Sequence, residues 1–166
     1  MVGFLGAQCL SGRDDRRMAD LELVRRLAAA DHGLVVLATT RADHTVQASV
    51  VNAGVMANPV GDGDLVACVA AGGTAKLANL RQRPRATVVF RAGWEWVSVE
   101  GSTTIIGPDD PADGVPADEV PRLLRDVFVA AGGTHDDWDE YDRVMAAERR
   151  AAVLITPERI TSNAGS

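Results

Sequence analysis

The sequence has almost no lysine, few aromatic residues and only two cysteines. Of its 17 basic residues, Lys76 is the single lysine and all the others are arginines. With seven aromatic residues among 166, Val, Ala, Leu and Ile have to fill the interior. Cys9 and Cys68, without a CxxC motif, exclude a disulfide framework. The short apolar run near the N-terminus has no basic region before it, so it resembles neither a signal peptide nor a membrane span.

The overall charge and length limit the class of protein further. A net charge of −6 argues against a general binder of nucleic acid or of acidic membranes. We therefore expect a cytoplasmic protein without nucleic-acid or membrane partners. The length predicts a single domain with a sizeable core. The segment "MADLELVRRL" from Met18 is typical of the start of a protein. Residues 1–17 are therefore expected to be a flexible extension and residues 18–166 the domain.

The hydrophobic pattern predicts six strands and several helices. Helical spacing of apolar residues covers residues 20–31, part of 72–84, 118–133 and 135–150. Strands are predicted over 34–40, from 45 onward, and over 65–71, 85–92, 94–107 and 151–161. The strands come mostly in hairpin succession, which implies antiparallel pairing. About six such strands commonly close into a barrel, with the helices outside it or at its ends.

The segment around the single lysine is rich in positive charge. Residues 65–94 contain no Asp or Glu, and they carry Lys76 and four arginines, Arg81, Arg83, Arg85 and Arg91. Gly72 and Gly73 allow a tight backbone turn, and Thr74 is placed to cap the following helix. Free N–H groups of the first helical turn, a hydroxyl and an ammonium would then converge on an anion such as a phosphate. The alternative is a solvated basic face on a short helix.

The lysine segment matches neither of two common phosphate-binding motifs. It lacks the spacing and the Lys-Ser/Thr pair of a Walker A loop, and it lacks the GxGxxG pattern of a dinucleotide-binding domain.

Other polar and aromatic residues have structural explanations. The three histidines are far apart and have no ligand-like spacing with the cysteines, so no metal site is predicted. The acidic stretch "THDDWDEYD" would suit a cation, but a helix start capped by Thr134 explains it as well. Cys68 lies in an apolar strand and is expected to be an inert core residue. Trp94 and Trp96 are expected in the core or in a dimer contact, with stacking on a ligand as the alternative.

Three stretches of the sequence resemble one known family. They are "GLVVLATTRADHTVQASVV", "GGTAKLANLRQRPRATVVF" and "WVSVEGSTTI", the last with its Glu100-Gly101 pair. Together they resemble the split-barrel superfamily typified by pyridoxamine 5'-phosphate oxidase, over about residues 20–106. The segment "GGTAKLANL" is most similar to sequences of the group that binds the deazaflavin coenzyme F420. This resemblance implies a mainly β split barrel of about six antiparallel strands with flanking helices.

Two features depart from the usual family pattern. His44 stands where the first hairpin turn usually has glycine. The segment 96–99 replaces the arginine-containing strand of true pyridoxamine phosphate oxidases, which argues against vitamin B6 oxidation.

The resemblance also implies a set of cofactor-binding residues. Coenzyme phosphate is expected at the helix start, and the ring system along the second strand. These expectations fall on Ser49, Val50, Val51, Asn52, Gly73, Thr74, Ala75, Lys76 and Asn79. Members of the family are homodimers whose cofactor sites lie at the subunit interface, so a homodimer is expected here. No catalytic residue is identified.

The function implied is an F420-dependent oxidoreductase that transfers a hydride to a conjugated or electron-poor small molecule, such as a biliverdin-like tetrapyrrole or an enone. In such an enzyme the cofactor carries the chemistry and the protein sets the geometry. One alternative is an FMN-dependent oxidase or reductase of the same superfamily. Another is a non-catalytic protein that binds a cofactor or a tetrapyrrole, because no acid–base group is evident.

Overall fold

The computed structural model describes residues 20–164, which form six strands and four helices. Residues 20–30 form α1. The strands are β1 (Leu34–Thr40), β2 (Val46–Ala57), β3 (Asp64–Ala70), β4 (Arg85–Ala92), β5 (Glu95–Ile106) and β6 (Ala151–Ser162). The other helices are α2 (Ala75–Gln82), α3 (Val120–Ala130) and α4 (Trp138–Ala147). The extension predicted over residues 1–17 lies outside the described residues.

The six strands form a closed barrel in the order β1-β2-β3-β6-β5-β4, and β4 pairs with β1 to complete it. Every pairing is antiparallel. β6 comes last in the chain and pairs with both β3 and β5. The barrel with its helices confirms the predicted fold class, a mainly β split barrel of about six antiparallel strands.

The Glu100-Gly101 pair marks an irregularity in the barrel. The register between β5 and β6 shifts between these two residues. A Cβ atom at position 101 would lie 1.8 Å from the carbonyl oxygen of Thr156. Only glycine allows the two strands to approach so closely, which gives a physical reason for glycine in this pair.

Two hydrophobic clusters lie on opposite sides of the β3–β6 wall. The first fills the barrel and includes Leu37, Phe90 and Val99, and apolar residues of α1 and α2 close it. The second lies between the barrel and helices α3 and α4, and it includes Leu65 and Leu154. Because both faces of β3 and of the first half of β6 are covered, these strands are apolar at nearly every position.

The outer surface of β1 and of the first part of β2 is apolar and exposed, whereas α3 packs on the second part of β2. Along β1, exposed and buried residues alternate, as in a sheet with one solvated face. The exposed positions nevertheless include Leu34, Val36, Val46 and Val50, which we call the outer β1–β2 face. Val36 and Val50 are opposite each other across the strand pair. This surface is apolar where a monomer would ordinarily be polar.

The start of α4 differs from the sequence prediction. Asp137, and not Thr134, is the N-cap residue, and its carboxylate accepts a hydrogen bond from the N–H of Glu140 at 2.9 Å. That hydrogen bond is the main reason why the pKa of Asp137 lies below its ordinary value. The prediction of Thr134 was wrong because the chain enters the helix three residues later, where Asp137 satisfies the first turn. The acidic residues of the stretch are thereby explained without a cation.

The predictions of burial for the two tryptophans and for Cys68 differ in how they compare with the structure. Trp94 is 95% exposed and Trp96 is 36% exposed, so neither lies in the core of the chain, and a dimer contact or ligand stacking stays a prediction for them. Trp94 lies in the tight turn between β4 and β5, and Trp96 is the second residue of β5. Cys68 is fully buried, and this burial raises the pKa of its thiol to about 12. The prediction of an inert core cysteine is confirmed.

Candidate functional site

The turn before α2 is shaped by two consecutive glycines. Gly73 has a φ of 72°, a left-handed conformation that side chains with a Cβ atom rarely adopt. The N–H of Gly72 donates to the carbonyl oxygen of Glu148 at 3.0 Å. A Cβ atom at position 72 would lie 2.7 Å from the carbonyl oxygen of Arg149. The turn is therefore packed closely against the end of α4, which holds it in place.

Thr74 occupies the N-cap position of α2, but its side chain does not cap the helix. The hydroxyl donates to the carbonyl oxygen of Ala71 at 2.9 Å, and no hydrogen bond joins it to the first turn. The predicted side-chain cap is thus wrong, because the hydroxyl is used inside the preceding turn. The consequence is favourable for a ligand, since the first-turn N–H groups stay available to an external acceptor.

Lys76 is a cation of this segment that has no acidic partner among the described residues. Among residues 20–164 its half-buried ammonium has no hydrogen bond and no ion pair. By contrast, Arg81 pairs with Asp110 and Arg85 pairs with Glu158, each at 2.7 Å. The broad positive field predicted over residues 65–94 is therefore partly neutralised by acids from other elements. Of the cations of α2 and its caps without an acidic partner among the described residues, Lys76 lines the neighbouring cleft and Arg83 does not.

Lys76 lines a cleft of about 390 Å³ that we call the β2–α2 cleft. Of the predicted cofactor-binding residues, it contains Val50, Val51, Asn52, Thr74 and Lys76. The opposite wall comes from α3, α4 and the residue before β6, and it includes Val127, Phe128, Tyr141, Met145 and Arg150. A cleft of this size and mainly apolar lining is typical of small-molecule sites.

The other four predicted residues do not line the cleft. Gly73 and Ala75 are exposed beside it, and Ser49 is half-buried on β2. The side-chain N–H₂ of Asn79 donates to Thr39 and to Gln47, at 3.1 and 3.2 Å. Asn79 therefore ties α2 to the β1–β2 hairpin. The binding roles assigned to all nine residues stay predictions.

The far wall of the cleft supplies residues that the sequence analysis missed. Arg150 uses its Nε to donate to Glu148 at 2.6 Å and lines the cleft. Tyr141 donates its hydroxyl to the carbonyl oxygen of Leu124 at 3.1 Å, and burial raises its pKa, so the phenol is neutral at pH 7. These residues lie about 70 positions after α2, and no spacing in the sequence connects them with it.

The electrostatics of the cleft favour an anionic group attached to an apolar body. Its lining contains two cations, Lys76 and Arg150, and no acidic side chain. Within residues 20–164 no cluster of three or more His, Cys, Asp or Glu side chains could hold a metal ion. In that same part of the chain, no helix is long and apolar enough to cross a membrane. The two cations and the apolar walls of the cleft suit an organic molecule that carries an anionic group.

The family of the chain follows from its match to known proteins. Residues 22–163 match the family model described as pyridoxamine 5'-phosphate oxidase. The match covers most of the chain, which belongs to this family.

Solved structures with similar folds include proteins with different described roles. One is a pyridoxamine 5'-phosphate oxidase-related, FMN-binding protein from Nostoc punctiforme, which is 14% identical to this chain and has a TM-score of 0.60. The superposition covers 88% of this chain and 82% of that protein. A protein described as an F420 reductase is 16% identical with a TM-score of 0.57, and the superposition covers 84% of this chain and 94% of that protein. A heme-binding protein from Mycobacterium smegmatis is 17% identical with a TM-score of 0.58, and the superposition covers 88% of this chain and 54% of that protein.

This chain spans little more than half of some of the structures that it matches. The share is 54% for the mycobacterial protein and 58% for a protein from Agrobacterium tumefaciens. At these low identities, the likeness concerns the fold.

Proposed function

We propose that this protein is an oxidoreductase that binds the deazaflavin coenzyme F420 in the β2–α2 cleft. The observation that carries the proposal is Lys76, a half-buried cation without a partner among the described residues, at the start of α2. A phosphate there would accept hydrogen bonds from the ammonium and from the first-turn N–H groups. The same phosphate would offset the unfavourable position of a cation at a helix N-terminus. The segment "GGTAKLANL" and the similarity to an F420 reductase favour F420 over FMN.

The walls of the cleft suit a flat ring system. Val50, Val51 and Asn52 would support one side of the ring, and Phe128 and Met145 would cover it from α3 and α4. The amide of Asn52 donates to the carbonyl oxygen of His32 at 2.9 Å, which fixes its orientation. When bound, a reduced deazaflavin supplies a hydride for an electron-poor double bond. The residues of the chain would hold the ring and the acceptor in a reactive geometry and exclude water.

We also propose that the working form is a homodimer. Val50 belongs both to the cleft and to the outer β1–β2 face, so the cleft opens onto an uncovered apolar surface. A second copy of the chain packed on this face would bury the exposed valines and narrow the cleft. The ordinary driving force of such an interface is the removal of apolar area from water.

Coenzyme titration is the direct test. Purified protein is titrated with F420 and with FMN, and the change in coenzyme fluorescence gives each dissociation constant. We expect tight binding of F420. The reduced coenzyme should then convert an activated alkene or a tetrapyrrole.

A charge-matched pair of variants tests the role of Lys76. Lys76→Ala should weaken coenzyme binding by about 10- to 100-fold, since hydrogen bonds to charged groups contribute about 1.5–3 kcal/mol. Arg91→Ala removes the same charge from an exposed strand position outside the cleft and should leave affinity unchanged. The Tm of ligand-free Lys76→Ala should stay close to that of the wild type. A large loss of apo stability would show that Lys76 is structural.

Two alternatives predict different results in the same titration. An FMN-dependent oxidase or reductase would bind FMN tightly, would not bind F420 and would purify yellow; the similarity to an FMN-binding protein supports this reading. A non-catalytic carrier would bind a coenzyme or a tetrapyrrole without turnover, and the similarity to a heme-binding protein supports that one. Observed turnover with reduced F420 would exclude the carrier.

A further inference from the structure

A second cavity of about 390 Å³ lies beside the β2–α2 cleft, and we call it the loop cavity. It lies between the loop of residues 107–118, α3, α4 and the residue before β6. Most of its wall is apolar, and it includes Ile106, Val115, Val120, Leu124 and Met145. Its volume lies at the lower end of the range for small-molecule sites. Its apolar lining selects a ligand with a hydrophobic body.

The loop that covers this cavity is held in place by ion pairs and backbone bridges. Asp109 pairs with Arg149, and Asp110 pairs with Arg81 through two hydrogen bonds of 2.7 and 2.8 Å. Bridges of the antiparallel type join residues 107 and 110, and residues 112 and 115. Because these ion pairs anchor the first part of the loop and the bridges order the rest, the cavity is formed before any ligand arrives, which reduces the entropic cost of binding.

Two charged side chains line the loop cavity, and each already forms an ion pair with a residue outside its lining. Both carboxylate oxygens of Asp142 accept hydrogen bonds from Arg125, at 2.9 and 2.6 Å. Arg150 donates through Nε to Glu148, while its two terminal amino groups have no partner among residues 20–164. A ligand would therefore meet one cation with free donors and no free carboxylate. Guanidinium groups with two free amino groups are well suited to a carboxylate.

We propose that the loop cavity binds a small apolar carboxylic acid. Its hydrophobic body lies among the apolar side chains, and its carboxylate accepts hydrogen bonds from the terminal amino groups of Arg150. Arg150 and Met145 line both the loop cavity and the β2–α2 cleft, so the acid lies next to the cleft. This site is additional to the coenzyme site and does not depend on it.

The probes are 1-naphthaleneacetate and its neutral analogue 2-(1-naphthyl)ethanol, titrated by calorimetry into the full-length protein. The acid should bind more tightly than the alcohol. Arg150→Gln should weaken the acid by about tenfold or more and leave the alcohol unchanged, because a charged hydrogen bond is lost only with the acid. Equal affinity for acid and alcohol in the wild type, or no binding of either, would overturn the proposal.

A second pair of variants locates the probe. Ala146 lines the loop cavity, and Ala147, which is also exposed, follows it on α4 without lining the cavity. Ala146→Phe should fill the cavity and reduce binding of both probes at least tenfold, while Ala147→Phe should not affect it. If the two variants bind alike, the probe lies elsewhere and the proposal fails.

Lys76→Ala separates this proposal from the coenzyme proposal. It removes the cation of the β2–α2 cleft that the loop cavity does not share, so binding of naphthaleneacetate should be retained. A parallel loss of naphthaleneacetate binding would place the acid in the coenzyme cleft and overturn the proposal. Failure of the F420 and FMN titrations with intact naphthaleneacetate binding would remove the coenzyme proposal alone.

Discussion

Lys76 and His44 illustrate how single residues depart from what composition and local rules favour. Lys76 is a cation at the end of a helix that favours anions, and among the described residues its ammonium has no partner. His44 has a φ of 66°, the left-handed conformation in which glycine is favoured. At Lys76 the departure has a functional interpretation, because a bound phosphate would remove the electrostatic conflict. His44 lies in an exposed turn outside the β2–α2 cleft.

The His44 turn leads to a prediction about stability. His44→Gly should stabilise the protein by up to about 1 kcal/mol, because relief of a left-handed conformation exceeds the added flexibility of the unfolded chain. His44→Ala keeps a Cβ atom in the same conformation and should give no such gain. Chemical denaturation of the two variants measures the difference. Lower stability of the glycine variant would mean that the imidazole itself stabilises the turn.

At the scale of elements, the helices differ in how their ends are satisfied. Asp137 caps α4 with its carboxylate, and acidic residues in the first turn add favourable interactions with the helix dipole. The start of α2 has neither a side-chain cap nor an acidic residue. Two buried leucines, Leu77 and Leu80, hold α2 on the barrel instead. Packing thus stabilises α2 while its N-terminus is left open for a ligand.

The cap of α4 can be tested by comparing two alanine variants. Asp137→Ala should lower the Tm at pH 7, whereas Thr134→Ala should leave it nearly unchanged. Since the folded-state pKa of Asp137 is lowered, its contribution is full above the ordinary pKa of Asp and is lost as the pH falls through the folded value. The gap in Tm between the wild type and Asp137→Ala should therefore shrink below about pH 4. A gap independent of pH would contradict capping by the carboxylate.

For the whole molecule, the distribution of apolar surface is unequal around the barrel. The side formed by β3 and β6 is covered by α3 and α4, while the outer β1–β2 face is left to solvent in the isolated chain. The β2–α2 cleft lies at the boundary between these two sides. Assembly and coenzyme binding would thus be connected through Val50, which belongs to both surfaces.

Substitution of an exposed valine tests the proposed homodimer. Val50 is 67% exposed on the outer β1–β2 face, and Val144 is 41% exposed on α4. Val50→Lys should shift the protein from dimer to monomer in sedimentation experiments, because a charge would be buried at the interface. Val144→Lys adds the same charge on α4, outside this face, and should stay dimeric. Dimers in both variants would show that the subunits associate through another surface.

The sequence by itself determined the strands and the hairpins β1–β2, β2–β3 and β4–β5, because alternation and turn residues are local properties of the chain. The pairings that close the barrel, of β1 with β4 and of β6 with β3 and β5, join distant segments and were decided by folding. It also singled out Lys76 and its glycine turn, since a single lysine among arginines is visible without a fold. It did not determine the cap of α4 or the exposure of Trp94, because both depend on where the chain turns in space. The partners of Arg81 and Arg85 are acids 29 and 73 positions away, and only folding brings them together. Tertiary structure alone decided that Arg150 lies beside both cavities, because contacts between distant segments leave no periodic pattern in a single sequence.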